Sequence, residues 1–118
     1  MGILPTLAIC LVALLHLLFL VLEMFLWTKP FGRKTFGLSE EFAAESATLA
    51  ANQGLYNGLF AVCLLWGVYC GEPAAEFVLV LLGCIIVAGC YGAWSAKGSI
   101  FWLQAFPAII AIVLILTA

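Results

Sequence analysis

The chain has 118 residues, of which 67% are hydrophobic and 8% charged, and its mean hydropathy is +1.27. That length is one domain, and that balance is too apolar for a soluble core wrapped in a polar exterior. A net charge of −2 says little about partners in a chain this apolar, and nothing in the sequence supports nucleic-acid binding. The five scattered cysteines (Cys10, Cys63, Cys70, Cys84, Cys90) lack CxxC or zinc-type spacing, so neither a metal nor a cofactor is expected.

The first apolar run, Ile3 to Trp27, exceeds the ~20 residues needed to cross about 30 Å of hydrocarbon. It has no charged leader and no small-residue cleavage pattern, so it reads as a retained span rather than a signal peptide. The one long connection follows, "TKPFGRKTFGLSEEFAAESA" from Thr28 to Ala47. Pro30, Gly32 and Gly37 break helix in its first half. Ser39 ahead of Glu40 and Glu41 then reads as a capped helix start, with carboxylates at the positive end of the dipole. A helix from near Glu40 is predicted to run unbroken into the second span, and "CGEPAAE" turns it into the third. The third run, Phe77 to Trp94, and the fourth, Ile100 to Thr117, are short but adequate, and "SAKGS" joins them. A bilayer offers no partner for free backbone groups, so every run must be helical. The predicted fold is an all-α integral membrane four-helix bundle with antiparallel neighbours, spans at 3–27, 47–70, 75–95 and 99–117, and a loop at 28–46.

Lys29, Arg33 and Lys34 follow the first span and Lys97 lies between the third and fourth, which accounts for all four basic residues. The positive-inside rule puts loops 28–46 and 95–99 in the cytoplasm and both termini on the extracytoplasmic side, most simply of the plasma membrane.

Polar residues inside the runs gather at one depth. Glu23, Asn52, Gln53, Tyr91 and Gln104 each lie four or five residues from the cytoplasmic end of a span, roughly 6–8 Å below that interface. His16, seven residues before Glu23, shares its direction but sits deeper. On the second span Asn52 and Tyr56 share one direction and Gln53 and Asn57 the adjoining one, so these four are expected to face the bundle centre. Gly54 and Gly58 form a GxxxG pair in a separate sector, where a helix of this chain or of a second copy would approach closely. Glu41, Glu45, Thr48 and Asn52 form a stripe leading up from water. A carboxyl at the depth of Glu23 must be paired, hydrated or protonated. Pro107 leaves one carbonyl of the fourth helix without its partner and would widen a pocket there.

Two long segments, "LEMFLWTKPFGRKTFGL" (Leu22 to Leu38) and "LAANQGLYNG" (Leu49 to Gly58), with "YGAW" at Tyr91 and "LQAFPAI" at Leu103, resemble the domain-of-unknown-function family thirteen-oh-four over nearly the whole chain. The resemblance implies a four-span membrane protein with no established activity. Some members carry the label "epimerase" with no mechanism attached. In the family an acidic residue often precedes the first-helix histidine. Here that position is Leu15, which weakens an acid–base role for His16.

Three functions follow from these residues. The first is binding or transport of a small molecule or lipid by Glu23, Asn52, Gln53, Tyr56, Asn57, Tyr91 and Gln104. The second is an intramembrane isomerase or epimerase with Glu23, and His16 behind it, as candidate catalytic groups. The third is a structural subunit whose amides lock helices, with membrane lipids and a second copy as its partners.

Overall fold

The structure is a computed structural model describing residues 1–118, and it is all α, with five helices and no strand. Helix α1 (Ile3–Leu20) is leucine-rich and uncharged, and a π-helical turn, Val21–Phe25, continues it. Helix α2 is Pro30–Phe36, α3 is Glu40–Cys70, α4 is Ala75–Ser95, and α5 is Phe106–Thr117. A 3₁₀ turn, Glu72–Ala74, leads into α4, and a second π-helical turn, Phe101–Ala105, leads into α5.

The helix boundaries follow from local chemistry. Ser39 caps α3: its hydroxyl accepts a hydrogen bond from the Phe42 backbone N–H at 3.1 Å. Ser39→Ala should therefore cost about 1 kcal/mol of stability in detergent unfolding, with Ser39→Asp restoring it. Pro30 and Gly37 do not abolish helix between them, as expected from the sequence; they delimit one. Proline at the first helical position donates nothing that the helix needs. Gly37, at φ 66°, closes α2 in the left-handed conformation, with Leu38 N–H donating to the Arg33 carbonyl at 2.8 Å. At the other end of the chain, Pro107 leaves the carbonyl of Leu103 without an α-helical donor. The π turn just before it is closed by Phe106 N–H donating to the Phe101 carbonyl.

Contacts gather the chain into two units, Met1–Leu15 with Ala61–Ala118, and His16–Phe60. In the first unit α4 runs antiparallel to the segment that leads into α5, as the pairs Gly89–Ala105 and Gly92–Ile100 show. A Cβ on Gly89 would stand 2.7 Å from the Ala105 nitrogen, so the two helices meet backbone to backbone there. Across the α3–α4 turn Gly67 instead receives a side chain, the Val78 Cγ2 methyl. The N-terminal amine pairs with Glu72 at 3.1 Å, which sets the start of α1 beside that turn. The core of this unit is Ile9, Val12, Leu64, Val78, Leu82 and Ile85 with the alanines of α5, Ala108 and Ala111. All five cysteines are free, Cys70 included.

The second unit holds the end of α1, α2, and α3 as far as Phe60. Its buried positions on α3 are small, at Ala43, Ala50, Gly54 and Gly58.

The outside of the chain is apolar. Leu4, Leu7, Leu11, Leu14, Leu18, Val21 and Phe25 follow one another at three- and four-residue steps along α1, and all are exposed. Two helical segments, Ile3–Phe25 and Glu72–Ser95, are long and apolar enough to cross a membrane. Within each, 28% and 22% of an apolar 18-residue stretch is buried, whereas the core helix of a soluble protein is mostly buried. Segment Phe101–Thr117 is apolar but shorter, and α3 carries its amides in mid-helix.

Candidate functional site

Glu23 sits in the middle of the π turn that ends α1. Leu26 N–H reaches back five residues to the Val21 carbonyl at 3.1 Å, so this turn is one residue wider than an α-helical one. The Glu23 side chain is 7% exposed and both its oxygens are engaged. Asn57 Nδ2 donates to Oε1 at 2.6 Å, and Gln53 Nε2 donates to Oε2 at 2.9 Å. Gln53 and Asn57 are four residues apart on α3, so their amides project one turn apart along the same side. A carboxylate only accepts, which fixes the NH₂ end of each amide toward it.

The close approach that makes these bonds is the work of the neighbouring glycines. A Cβ on Gly54 would lie 2.9 Å from Met24 Cγ and 3.0 Å from Glu23 Cβ, and one on Gly58 would overlap Leu20 Cδ1. Each amide thus stands next to a glycine in sequence, the amide reaching the carboxyl and the glycine receiving the first helix. Trp27 adds a second tie. Its indole N–H donates to Ser46 Oγ at 3.0 Å, that hydroxyl donates to the Phe42 carbonyl, and the indole packs on Phe36 at 5.0 Å between ring centres.

This arrangement corrects the facing inferred from helical angles. Gly54 and Gly58 are buried against the end of α1, on the same side as Glu23, and the close neighbour of the GxxxG pair is a helix of this chain. Of the two neighbours left open for these glycines, a helix of this chain or a second copy, the first lies against them. Asn52 and Tyr56 do not reach the carboxyl as Gln53 and Asn57 do; both are exposed, Tyr56 at 61%. The angles themselves were sound. Large apolar residues are exposed here as well as buried, so hydropathy could not say which sector pointed in, and close packing selected the small residues.

His16 is buried, edge-on to Phe19 at 5.3 Å. Tyr91 and Gln104 belong to the other unit. Tyr91 is exposed beside Trp94, and Gln104 is half-buried in the π turn before α5. Of the predicted binding residues, the structure joins Glu23, Gln53 and Asn57. Sequence reasoning missed both π turns. Pro107 was a signal for the second, while nothing around Glu23 announced the first.

Chemically the cluster is rich in acceptors. The carboxyl uses two of its roughly four lone-pair positions. The side-chain carbonyl oxygens of Gln53 and Asn57 are left as further acceptors, since each amide bonds the carboxyl through its NH₂ group. Such a cluster favours a cation or a hydrogen-bond donor over an anion.

Residues 10–116 match a family described as "Protein of unknown function (DUF1304)". An uncharacterized protein, YpaA, of Lactococcus lactis subsp. lactis (strain IL1403) is 31% identical over 115 residues, covering 96% of this chain and 97% of that protein. No solved structure matches. The carboxyl and both amides of the cluster fall inside the matched region, and the chain belongs to the DUF1304 family.

Proposed function

We propose that the chain is an integral membrane protein that crosses the bilayer four times, with loops 28–46 and 95–99 in the cytoplasm and both termini outside. The exposed apolar rows support this reading, because large apolar side chains at such density are not tolerated in water. The placement of all four basic residues in alternate connections supports the orientation. Within that frame Glu23, Gln53 and Asn57 form the polar centre of a site near the cytoplasmic face for a small molecule or lipid carrying a hydrogen-bond donor or a cation. One observation carries it: a buried carboxyl on a π turn, held by two amides whose carbonyl oxygens remain available. Gln53, the exposed member, provides the way in.

The test is native mass spectrometry of gently extracted protein, wild type against Glu23→Gln. A co-purifying lipid or small molecule with an ammonium or hydroxyl group should be retained by the wild type and lost from the variant. A second reading has its own support, since both carboxyl oxygens are satisfied within the chain: the cluster is a helix lock and nothing more. It predicts no adduct on either protein and a change in unfolding alone. The third reading, proton transfer by Glu23 in an isomerase, has no companion titratable group among the side chains bonded to that carboxyl.

A further inference from the structure

Helix α2 carries a surface that the Glu23 cluster does not use. Gly32 and Phe36, four residues apart, share its inward side, Gly32 buried and Phe36 half-buried against Trp27. Pro30, Phe31 and Lys34 fall on the opposite side, and all three are exposed, Phe31 at 65%. Lys29, just before the helix, is exposed as well, and the Arg33 Nε–H donates to the Thr28 carbonyl at 3.3 Å. No acidic residue occurs between Met24 and Ser39, and the ion pair of the chain joins Met1 and Glu72. All three positive charges of this segment therefore lack a counter-charge within the protein. Gly32 lies against the Leu26 carbonyl, which pins α2 to the corner where the first helix ends. On the membrane reading proposed above, on which the inference rests, that corner is the cytoplasmic end of the first span.

We infer that α2 lies in the cytoplasmic interface of the bilayer and binds anionic phospholipid headgroups, with Lys29, Arg33 and Lys34 on the phosphates and Phe31 inserted beside them. Charge selects this occupant: the segment offers only positive groups, and the cytoplasmic leaflet presents anionic ones. Position agrees, because a helix packed on the end of a span stays at headgroup level, where an aromatic ring between basic side chains buries its apolar part. Size argues against a protein instead. Seven residues of helix run about 10 Å, too little for the roughly 800 Å² that a stable protein interface takes from each partner. Three charges are few for drawing a soluble chain to a membrane. This chain is held there by its spans, so they need only choose among headgroups. The surface is separate from the Glu23 cluster and takes lipids of the opposite charge preference.

The test uses the full chain with p-benzoylphenylalanine in place of Phe31, reconstituted in liposomes of phosphatidylglycerol and phosphatidylcholine in equal amounts. After irradiation, adducts are identified by mass spectrometry. Phospholipid adducts should form, with phosphatidylglycerol ahead by roughly five-fold or more, the preference that one basic side chain confers near an anionic surface. Lys29→Gln combined with Lys34→Gln should cut that ratio several-fold. Lys97→Gln, in the other basic connection, should leave it unchanged. Absence of lipid adducts overturns the inference, as do adducts to a second copy of the chain in their place. A ratio near one, or a ratio indifferent to the paired lysine change, overturns the headgroup contact. An equal fall in Lys97→Gln also overturns it, since overall charge rather than α2 would then select the lipid. Chain that fails to float with the liposomes before irradiation removes the membrane reading itself and the inference with it.

Discussion

Replacing Gly32 by alanine should destabilise the protein by about 1–3 kcal/mol, near the upper end of what one added methyl group costs in a packed interior. Gly32 is buried, and a Cβ there would overlap the carbonyl oxygen of Leu26. That oxygen is backbone, and it is not free to move. It accepts the Lys29 N–H at 3.1 Å, the bond that turns the chain out of the π turn, while the Leu26 N–H closes that turn on Val21. Making room for the methyl therefore shifts the whole corner between α1 and α2. Trp27, one residue on, would lose alignment with Ser46, and Glu23, three residues back, with its amides. Gly58→Ala is the control. Its new methyl meets Leu20 Cδ1, the far end of a flexible side chain, which can rotate aside, and a cost below ~1 kcal/mol is expected. Reversible unfolding in mixed micelles compares the two. Equal losses would refute the distinction between backbone and side-chain collision, and unchanged hydrogen exchange at Lys29 in Gly32→Ala would refute the proposed shift of the corner.

These particulars mark how far the sequence could be read. Composition and run length led to an all-helical chain, and the start of α3 at Glu40 came from Ser39 and two carboxylates alone. Capping is local chemistry, so it is legible in sequence. The cluster was half legible. Depth counting put Glu23 level with Gln53, because rise per residue is nearly constant along a helix. Facing was not legible, since Asn52 and Gln53 are adjacent and only the contact with α1 separates their fates. The π turn was invisible for a related reason: it exchanges the register of one turn for a better tertiary contact, and no residue type demands it. In α2 the signals were present but misjudged, proline and glycine being as good at bounding a short helix as at preventing one.

The second large effect concerns the Glu23 cluster and is best read as a double-mutant cycle. Glu23→Ala and Asn57→Ala should each destabilise the protein, and together they should cost less than their sum by about 1–2 kcal/mol, the range of strong side-chain hydrogen bonds between membrane helices. The Glu23–Gln53 pair should couple more weakly, at about 0.5 kcal/mol, since its bond is longer, 2.9 Å against 2.6 Å, and Gln53 is exposed. Of the two partners, losing Asn57 should be worse than losing Gln53, because it strips the buried side of the carboxyl of its donor. Glu23→Gln should be milder than Glu23→Ala. Its amide supplies one carbonyl to accept and one NH₂ that faces another NH₂, a conflict that a half-turn of the Asn57 amide resolves. Asn57→Asp would therefore rescue Glu23→Gln, since the carboxyl and the amide merely exchange sides of one hydrogen bond. Additivity of Glu23 and Asn57 within ~0.5 kcal/mol would mean that they do not interact. Failure of the swapped pair to recover would mean that the carboxyl is required on α1 itself. The π turn would then hold Glu23 for its chemistry as well as for packing.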